Sequence, residues 1–589
     1  MSTETSRGER ALKALRPVRV FHPMLLALIP LCGLYAQNAG LLTFNAVVRP
    51  AAALLIVSIA LWALFSALRR NRYHGGLLAS TVIVPLFVLW GVLEDSIRAI
   101  IPLLGTTPRG VFYALSGMAA LALIGFVAFR NGNDPKALRA TLLTTTTAVL
   151  AAFLVAMLLL APIFGRRAGW LITAYLAAII VSVCIVWRYN GDLNVATRSM
   201  NWFALILLAL YGAVLLFNRA EQPEIVPKPL AVAQPASSAV FPDIYVFALD
   251  GYARSDVLRS AYAYNNQAFE ESMKKLGFEI ADQSRANYPQ AELSLASLLN
   301  MDYLPALIDS DQEREHAGMQ HVFALYHNNR LFSIVRDRGY EVKVFSPGLE
   351  SLEPRSSEVT RLTPPGAFGE FEMVLIDRTV ASRIFQAYYY WRYDNPAYWR
   401  YAFRRARILY MFDEMPRLAQ EQVERPRLIY APMLVPEPPY LFTRDGGRAQ
   451  PFGPGSLAND TAFRGRESEY RAAYLDQVHF VNKKLIETAG KIIDTSKRPV
   501  VVLILSSRGA PPSLDGQPDT AAERFDTLLM ARFPTPSTDP STQFRDDLSL
   551  VNVFGTTLNR AFGANAPLHP DETFTVSEDR PFLAPSPAP

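Results

Sequence analysis

With 589 residues the chain is too long for one compact core, and its mean hydropathy of +0.13 averages two unlike halves. The net charge of +5 is taken up largely by basic residues lying between apolar runs, which gives no reason to expect nucleic acid as a partner. Both cysteines, Cys32 and Cys184, fall inside apolar runs, so the C-terminal half carries no thiol, a composition that suits an oxidising compartment.

Residues 1–20 form a basic N-terminus, with Arg7, Arg10, Lys13, Arg16 and Arg19 ahead of the first apolar run, and are expected in the cytoplasm. Seven apolar runs follow, near 22–40, 48–68, 76–94, 110–129, 141–164, 168–187 and 200–217. Each is long enough, or nearly so, to cross roughly 30 Å of hydrocarbon. No small-residue cleavage site ends the first run, so it reads as a retained helix and not as a signal peptide. Arg69, Arg70 and Arg72, then Arg130, Lys136 and Arg139, then Arg188 and Arg198 fall in alternate loops, which places those loops inside. The expectation is a polytopic α-helical membrane bundle over 21–218, about seven helices, with everything after Asn218 outside. Arg166 and Arg167 in a short outer loop break the pattern and keep a six-crossing arrangement open, which would leave the C-terminal half in the cytoplasm. No membrane-embedded acidic residue stands out to mark an ion path, which weighs against a transporter.

Residues 219–240 carry Pro223, Pro227, Pro229 and Pro235, a density that favours an extended, semi-rigid tether. Short β-rich runs then alternate with helical patterns: DIYVFAL at 243–249, YEVKVFS at 340–346, RLIYAPML at 427–434, VVVLIL at 500–505 and TLLMARF at 527–533. Continuous apolar strands separated by helices predict a mostly parallel sheet buried on both faces, an α/β/α sandwich over 241–575. In such sheets the ligand site lies beyond the carboxyl ends of the strands. The stretch AYYYWRYDNPAYWRYAFRRAR, 387–407, suits either a membrane interface or sugar stacking, or else an amphipathic helix pair packed on its own domain; its spacing does not choose. Residues 576–589, ending FLAPSPAP, read as a disordered tail.

The segments that follow the strands are distinctive. LDGYARSDVL, NYPQAELSLASLLNMDYL, YAPMLVPEPPYLFTRDG, YLDQVHFVNKKL and LILSSRGAPPS, in that order over roughly 241–575, resemble the sulfatase-like branch of the alkaline phosphatase superfamily. The membrane-anchored members related to lipoteichoic acid synthases and phosphoethanolamine transferases are the most similar. That resemblance implies a C-terminal α/β/α sandwich of alkaline-phosphatase/sulfatase type behind a membrane bundle, a bacterial inner-membrane location and a periplasmic C-terminal domain. It also implies metal-dependent phosphoryl or sulfuryl transfer, with an Asp after the first strand, a Thr, Ser or Cys nucleophile at a helix start and an Asp-His pair after a late strand. Histidines in a Pro-rich loop complete the family's site. Hard cations on carboxylates and imidazoles activate the nucleophile and neutralise the transferring group.

This chain departs from the pattern almost everywhere. Asp250 matches the first ligand, but Ala291 stands where the attacking oxygen belongs. Ser507 and Arg508 replace the Asp-His pair, and Pro432 and Glu437 occupy places where histidines are expected. No catalytic residue is therefore assigned. Asp250, Ser507 and Arg508 are a remnant metal site, and Asp250, Asn287, Glu437 and Arg508 a candidate ligand cleft. Ser294 lies one helical turn, roughly 5 Å, beyond Ala291, too far to serve in its place. His316, His321, His327, His479 and His569 show no convincing ligand spacing. No cofactor is expected, a divalent cation being the alternative, and Arg508 is expected to take the cation's place against Asp250 or Glu437. The functional expectation is a membrane-anchored pseudoenzyme in contact with the lipid bilayer that binds an envelope glycan or lipid headgroup, or partners an active transferase or export system. The alternative is an active phosphoryl- or sulfuryl-group hydrolase or transferase that modifies an envelope lipid or polysaccharide.

Overall fold

A computed structural model describes residues 19–89, 182–183, 186–188, 193–220, 227–233, 241–393, 398–449, 467–510, 521–537, 542–577, 579–583 and 586–587. The chain divides into two units. One gathers the N-terminal helices with Phe371–Ile384; the other holds the remaining described residues after Gln222.

In the helical unit, α1 (His22–Gln37), α2 (Asn45–Arg69), α3 (Arg72–Ile83, continued as a π-helical turn over Val84–Leu89) and α4 (Leu193–Ala220) form from the first, second, third and last apolar runs. Among the described residues, two helices are long and apolar enough to cross a membrane, Asn45–Arg69 and Leu193–Phe217. Both leave large apolar side chains exposed, among them Ile56, Leu64 and Leu68 on α2 and Trp202, Leu216 and Phe217 on α4, a surface that suits lipid and not water. The expected runs at 110–129 and 141–164, and most of 168–187, lie outside the described residues, so the count of crossings rests on the sequence alone. α1 and α4 run in the same direction. Near their starts the Asn201 amide accepts the His22 backbone N–H at 3.0 Å and donates to the Arg19 carbonyl at 2.8 Å. Two to three turns later Gly33 faces the Tyr211 ring so closely that a Cβ there would meet it at 3.1 Å.

One boundary differs from expectation. Phe371–Ile384, which the sequence places inside the C-terminal domain, groups with the helical unit. The helix Glu370–Asp377 carries this segment's start, and its Phe371 and Leu375 join the apolar cluster of α1 to α4. Glu372 pairs with Arg49 of α2, and the Val380 N–H donates to the Leu86 carbonyl at 3.0 Å.

The second unit is built on a seven-stranded sheet of order β2-β7-β6-β1-β5-β3-β4. Its strands are β1 (Asp243–Asp250), β2 (Glu279–Ile280), β3 (Glu341–Phe345), β4 (Val359–Leu362), β5 (Arg427–Pro436), β6 (Val500–Ser506) and β7 (Leu529–Arg532). β1, β3, β4, β5 and β6 are parallel, while β7 runs antiparallel between β6 and the two-residue β2, which therefore points the same way as the main strands. Every residue of β1, β5 and β6 is buried, as strands covered on both faces must be. On one face Tyr245, Phe247 and Leu249 pack with Met411, Phe412 and Met415 and with Tyr474, Val478 and Val481 of two long helices, Tyr398–Gln420 and Glu467–Thr495. On the other, Phe332 of the helix Arg330–Asp337 meets Tyr430 of β5, the register partner of Val246, edge to face at 6.0 Å. The layering is therefore α/β/α.

Two further expectations are corrected. The Pro-rich tether is not free over 227–233: Arg330 and Arg338 donate to the Lys228 and Ala233 carbonyls, at 2.8 and 2.9 Å, and the Ala233 N–H donates to Ala564 at 2.6 Å. The tail beyond 575 is not uniformly disordered, because Phe582 is buried among Tyr288, Leu293 and Leu304 and Ser586–Pro587 pairs with Phe574–Thr575. An aromatic ring and a strand pairing supply the burial that a Pro-rich composition hides.

Candidate functional site

Three strand ends build the site. β1 closes on Asp250, and Gly251 turns away with φ +78°, at a place where a Cβ would strike the Glu437 Oε2 at 2.4 Å. Beside it β5 slips register, so that Asp250 lies opposite Pro436, and the Glu437 N–H donates to the Asp250 carbonyl at 2.9 Å. β6 ends at Ser506, whose hydroxyl donates to the Arg508 carbonyl at 2.7 Å and accepts the Tyr252 N–H at 2.9 Å. Gly509 then passes so close to the Glu523 carbonyl that a Cβ would meet it at 2.0 Å. Backbone bonds and two close approaches thus fix where Ser507 and Arg508 point.

Both aim at Asp250. The Ser507 hydroxyl donates to its Oδ1 at 2.9 Å, and Arg508 spans the carboxylate with Nε to Oδ1 at 2.8 Å and Nη2 to Oδ2 at 3.2 Å. The same Nη2 lies 3.1 Å from Glu437 Oε1. Among the described residues Glu437 Oε2 has no hydrogen-bond partner, and it is shielded from solvent. Asp250 and Glu437 are each 8% exposed, so these charges are sealed rather than displayed in an open cleft.

The two carboxyls respond in opposite directions. Burial pushes Asp250 up, but the Arg508 charge, its hydrogen bonds and the Ser507 hydroxyl outweigh it and hold the group below its ordinary value. Burial likewise pushes Glu437 up; Arg508 lowers it, the Asp250 charge adds to the rise, and with Arg524 and Arg404 only partly offsetting, the carboxyl stays above its ordinary value. Asp250 and Arg508 are the settled pair, and Glu437 is the group that takes a proton first.

At the expected nucleophile position, Ala291 opens the helix Ala291–Asn300 and offers only a buried methyl. Ser294 is fully buried, and its hydroxyl donates to the Tyr288 carbonyl at 2.8 Å, a helix-entry bond that leaves nothing for chemistry. Asn287 is withdrawn from the candidate cleft. Its amide donates to the Glu572 carbonyl at 2.8 Å and accepts the Val551 N–H at 2.7 Å, so the side chain is spent clipping the loop to the C-terminal segment. Pro432 lies within β5 opposite Ala248. Among the described residues, no group of three His, Cys, Asp or Glu side chains converges as a metal site.

A divalent cation, implied by the resemblance, does not fit this donor set. Asp250 is the carboxylate that the resemblance would assign to a cation, and both of its oxygens are already bonded to a guanidinium of the same sign as the cation. Arg404 is the contributor that sequence reading passed over. It is buried on the long helix Tyr398–Gln420, donates to the Leu434 carbonyl at 2.7 Å and favours the charged form of both site carboxyls. It lay within the aromatic and arginine stripe, where nothing in the spacing separates a buried arginine from a surface one.

No protein-family model matches the sequence, and no curated protein sequence matches it. Solved structures similar to this chain include the C-terminal periplasmic domain of EcEptC from Escherichia coli, at 11% identity over 62% of this chain and 96% of that one, with a TM-score of 0.37. The soluble domain of lipooligosaccharide phosphoethanolamine transferase A from Neisseria meningitidis is similar at 14% identity over 57% of this chain and 93% of that one, with a TM-score of 0.35. The integral membrane form of the same transferase is similar at 12% identity over 91% of this chain and 95% of that one, with a TM-score of 0.37.

Proposed function

We propose that the chain is a membrane-anchored, sulfatase-like protein of the cell envelope whose C-terminal domain acts by binding and not by phosphoryl or sulfuryl transfer. The observation that carries this reading is the Arg508 guanidinium, laid across both oxygens of Asp250 and against Glu437. It supplies the positive charge a cation would bring, yet offers no coordination site for a substrate oxygen or for an activated water. Ala291 removes the nucleophile as well, and each loss alone should cost several powers of ten in rate. The binding partner in this reading is an envelope glycan or lipid headgroup, or a membrane protein of a transferase or export system.

The placement of the domain beyond the membrane draws support from the bundle. If α1 and α4 both cross, their common direction makes the number of crossings from one through the other odd, whatever lies between. The chain then leaves α4 on the side opposite its basic start. Reporter fusions after Val240 test this, and cytoplasmic fluorescence there would favour the even count. For the activity, purified full-length chain should turn over neither an aryl phosphate, an aryl sulfate nor phosphatidylethanolamine above the rate of buffer. Turnover that disappears with Asp250→Ala would overturn the binding role.

A further inference from the structure

The aromatic and arginine stripe plays no part in the Asp250 site, yet it gathers rings and guanidiniums into one patch whose residues all lie in the C-terminal unit. The helix Ala381–Tyr393 ends at the patch, and the helix Tyr398–Gln420 begins there. Tyr389, Tyr393 and Tyr398 form a ring cluster with centroids 5.5, 6.2 and 5.2 Å apart. The Arg448 guanidinium lies 4.1 Å from the centre of the Tyr393 ring and 5.7 Å from that of Tyr398, and the Arg392 guanidinium lies 5.0 Å from the Tyr393 ring. Two cations therefore rest against one tyrosine.

The turn that carries Arg448 is held in place. Phe442 stacks on Phe480 at 3.9 Å, and Arg405 donates to the Gly446 carbonyl at 2.8 Å. Burial holds Arg405 below its ordinary value; Tyr398 opposes this and the Arg448 charge adds to it, so the two guanidiniums repel. Among the described residues no carboxylate pairs with Arg392, Arg405 or Arg448, although Asp445 lies in the same turn as Arg448. A guanidinium stacked on a ring keeps its N–H edge available for a planar anion, and like charges gathered in this way favour one.

Rings stand beside the charges. Tyr388 is 55% exposed and Trp391 82%, at positions i and i+3, and Arg392 at i+4 shares the side of Tyr388. A small anion or a phosphate headgroup has no use for an open indole and phenol. The ring of an acidic sugar matches both features, with an apolar C–H face for stacking and a carboxylate for the arginine fork.

We propose that Tyr388, Trp391, Arg392, Tyr393 and Arg448 form a binding face for an acidic glycan, a chain of uronate-bearing sugars. The proposal rests on the binding role given above and narrows its glycan to an anionic one. The face shares no residue with the Asp250 site, so the two readings fail separately.

Full-length chain in uncharged detergent is titrated calorimetrically with hexagalacturonate, maltohexaose, hexaglutamate and glycerophosphate. Hexagalacturonate should bind, and the other three should bind at least about tenfold more weakly, because each lacks either the carboxylates or the sugar faces. Arg448→Gln and Trp391→Ala should each weaken hexagalacturonate binding by about tenfold, and added salt should weaken it further. Both residues are exposed, so unchanged melting temperatures should accompany the losses. Absence of hexagalacturonate binding, or binding that neither variant alters, would overturn the proposal. Equal binding of hexaglutamate would make the face a contact for an acidic protein, and equal binding of glycerophosphate a contact for lipid headgroups. Ester turnover alongside intact hexagalacturonate binding would remove the purely binding role of the domain and leave this face standing.

Discussion

The two ends of β1 each carry an aspartate facing arginine, and they are not equivalent. At the start, Asp243 receives the Arg427 N–H at 2.9 Å and its Nε and Nη2 at 3.2 and 2.8 Å, while Arg498 Nε stands 3.7 Å away and Glu421 takes the remaining Arg427 nitrogen at 3.2 Å. Two carboxylates face two guanidiniums, and Glu421 reaches solvent. At the other end, Asp250 and Glu437 are both buried and share the guanidinium of Arg508, while the Arg404 charge also favours both carboxylates and the Arg524 charge that of Glu437; among the described residues one Glu437 oxygen has no hydrogen-bond partner. A pair that serves only stability is balanced in this way, because each unmatched buried charge costs free energy. The Asp250 end is the less evenly matched of the two, since one guanidinium spans both carboxyls and one Glu437 oxygen has no hydrogen-bond partner among the described residues.

The largest expected effect is at the balanced end. Arg427→Ala should lower unfolding stability by about 3–5 kcal/mol, the usual loss when one member of a buried pair is removed. Arg508→Ala should cost less, because Glu437 and then Asp250 can take up protons and the site stands nearer water. Chemical denaturation of the two variants in one detergent gives the order directly. An Arg508→Ala loss equal to or larger than that of Arg427→Ala would mean that the two ends are the same kind of structure.

The sheet, and the residues at its carboxyl edge, were legible because buried strands are written as unbroken apolar runs and the residue after each run is fixed by the fold. Asp250, Glu437 and Arg508 converge for that reason. β2 and β4 were not legible, since EI and VTRL carry too few residues to show a period. Asn287 looked available because its partners, Glu572 and Val551, lie more than 260 residues away in sequence. The strapping of the Pro-rich linker by Arg330 and Arg338, and the attachment of Phe371–Ile384 to the helical unit, have the same origin: side chains distant in sequence satisfy backbone carbonyls or apolar faces that local pattern leaves open.

A smaller effect should separate the carboxyls by pH. Glu437 binds its proton more tightly folded than unfolded, so its contribution is present below the ordinary value of 4.5 and is lost as pH rises through the raised folded value. Asp250 is held below its ordinary value of 3.8, so its contribution is present above that value and lost as pH falls. Glu437→Gln keeps the neutral form at every pH. The variant should therefore match the wild type in acid and gain on it as pH rises from about 4.5, by about 1–3 kcal/mol, the usual cost of a buried polar group left unsatisfied. Asp250→Asn should instead lose stability in the neutral range. Melting curves across pH test both signs, and parallel pH profiles for wild type and Glu437→Gln would remove Glu437 from the imbalance.

The smallest expected effect is none at all, and it bears most directly on function. A cation that binds only the folded chain adds about 4 kcal/mol at a thousandfold excess over its dissociation constant, which a melting curve detects easily. In the wild type, Arg508 must leave Asp250 before a cation can approach, and leaving breaks its contacts with the two carboxylates it holds. Zinc, manganese or a chelator should therefore leave the melting temperature unchanged. The double variant Ser507→Asp with Arg508→His restores the carboxylate and imidazole of the sulfatase-like pattern beside Asp250, without adding the nucleophile absent at Ala291. It should gain a metal-dependent rise in melting temperature while remaining inactive on phosphate and sulfate esters. A metal-dependent shift in the wild type would show that Arg508 yields to a cation, and the two ends of β1 would then differ because one of them still works as a metal site.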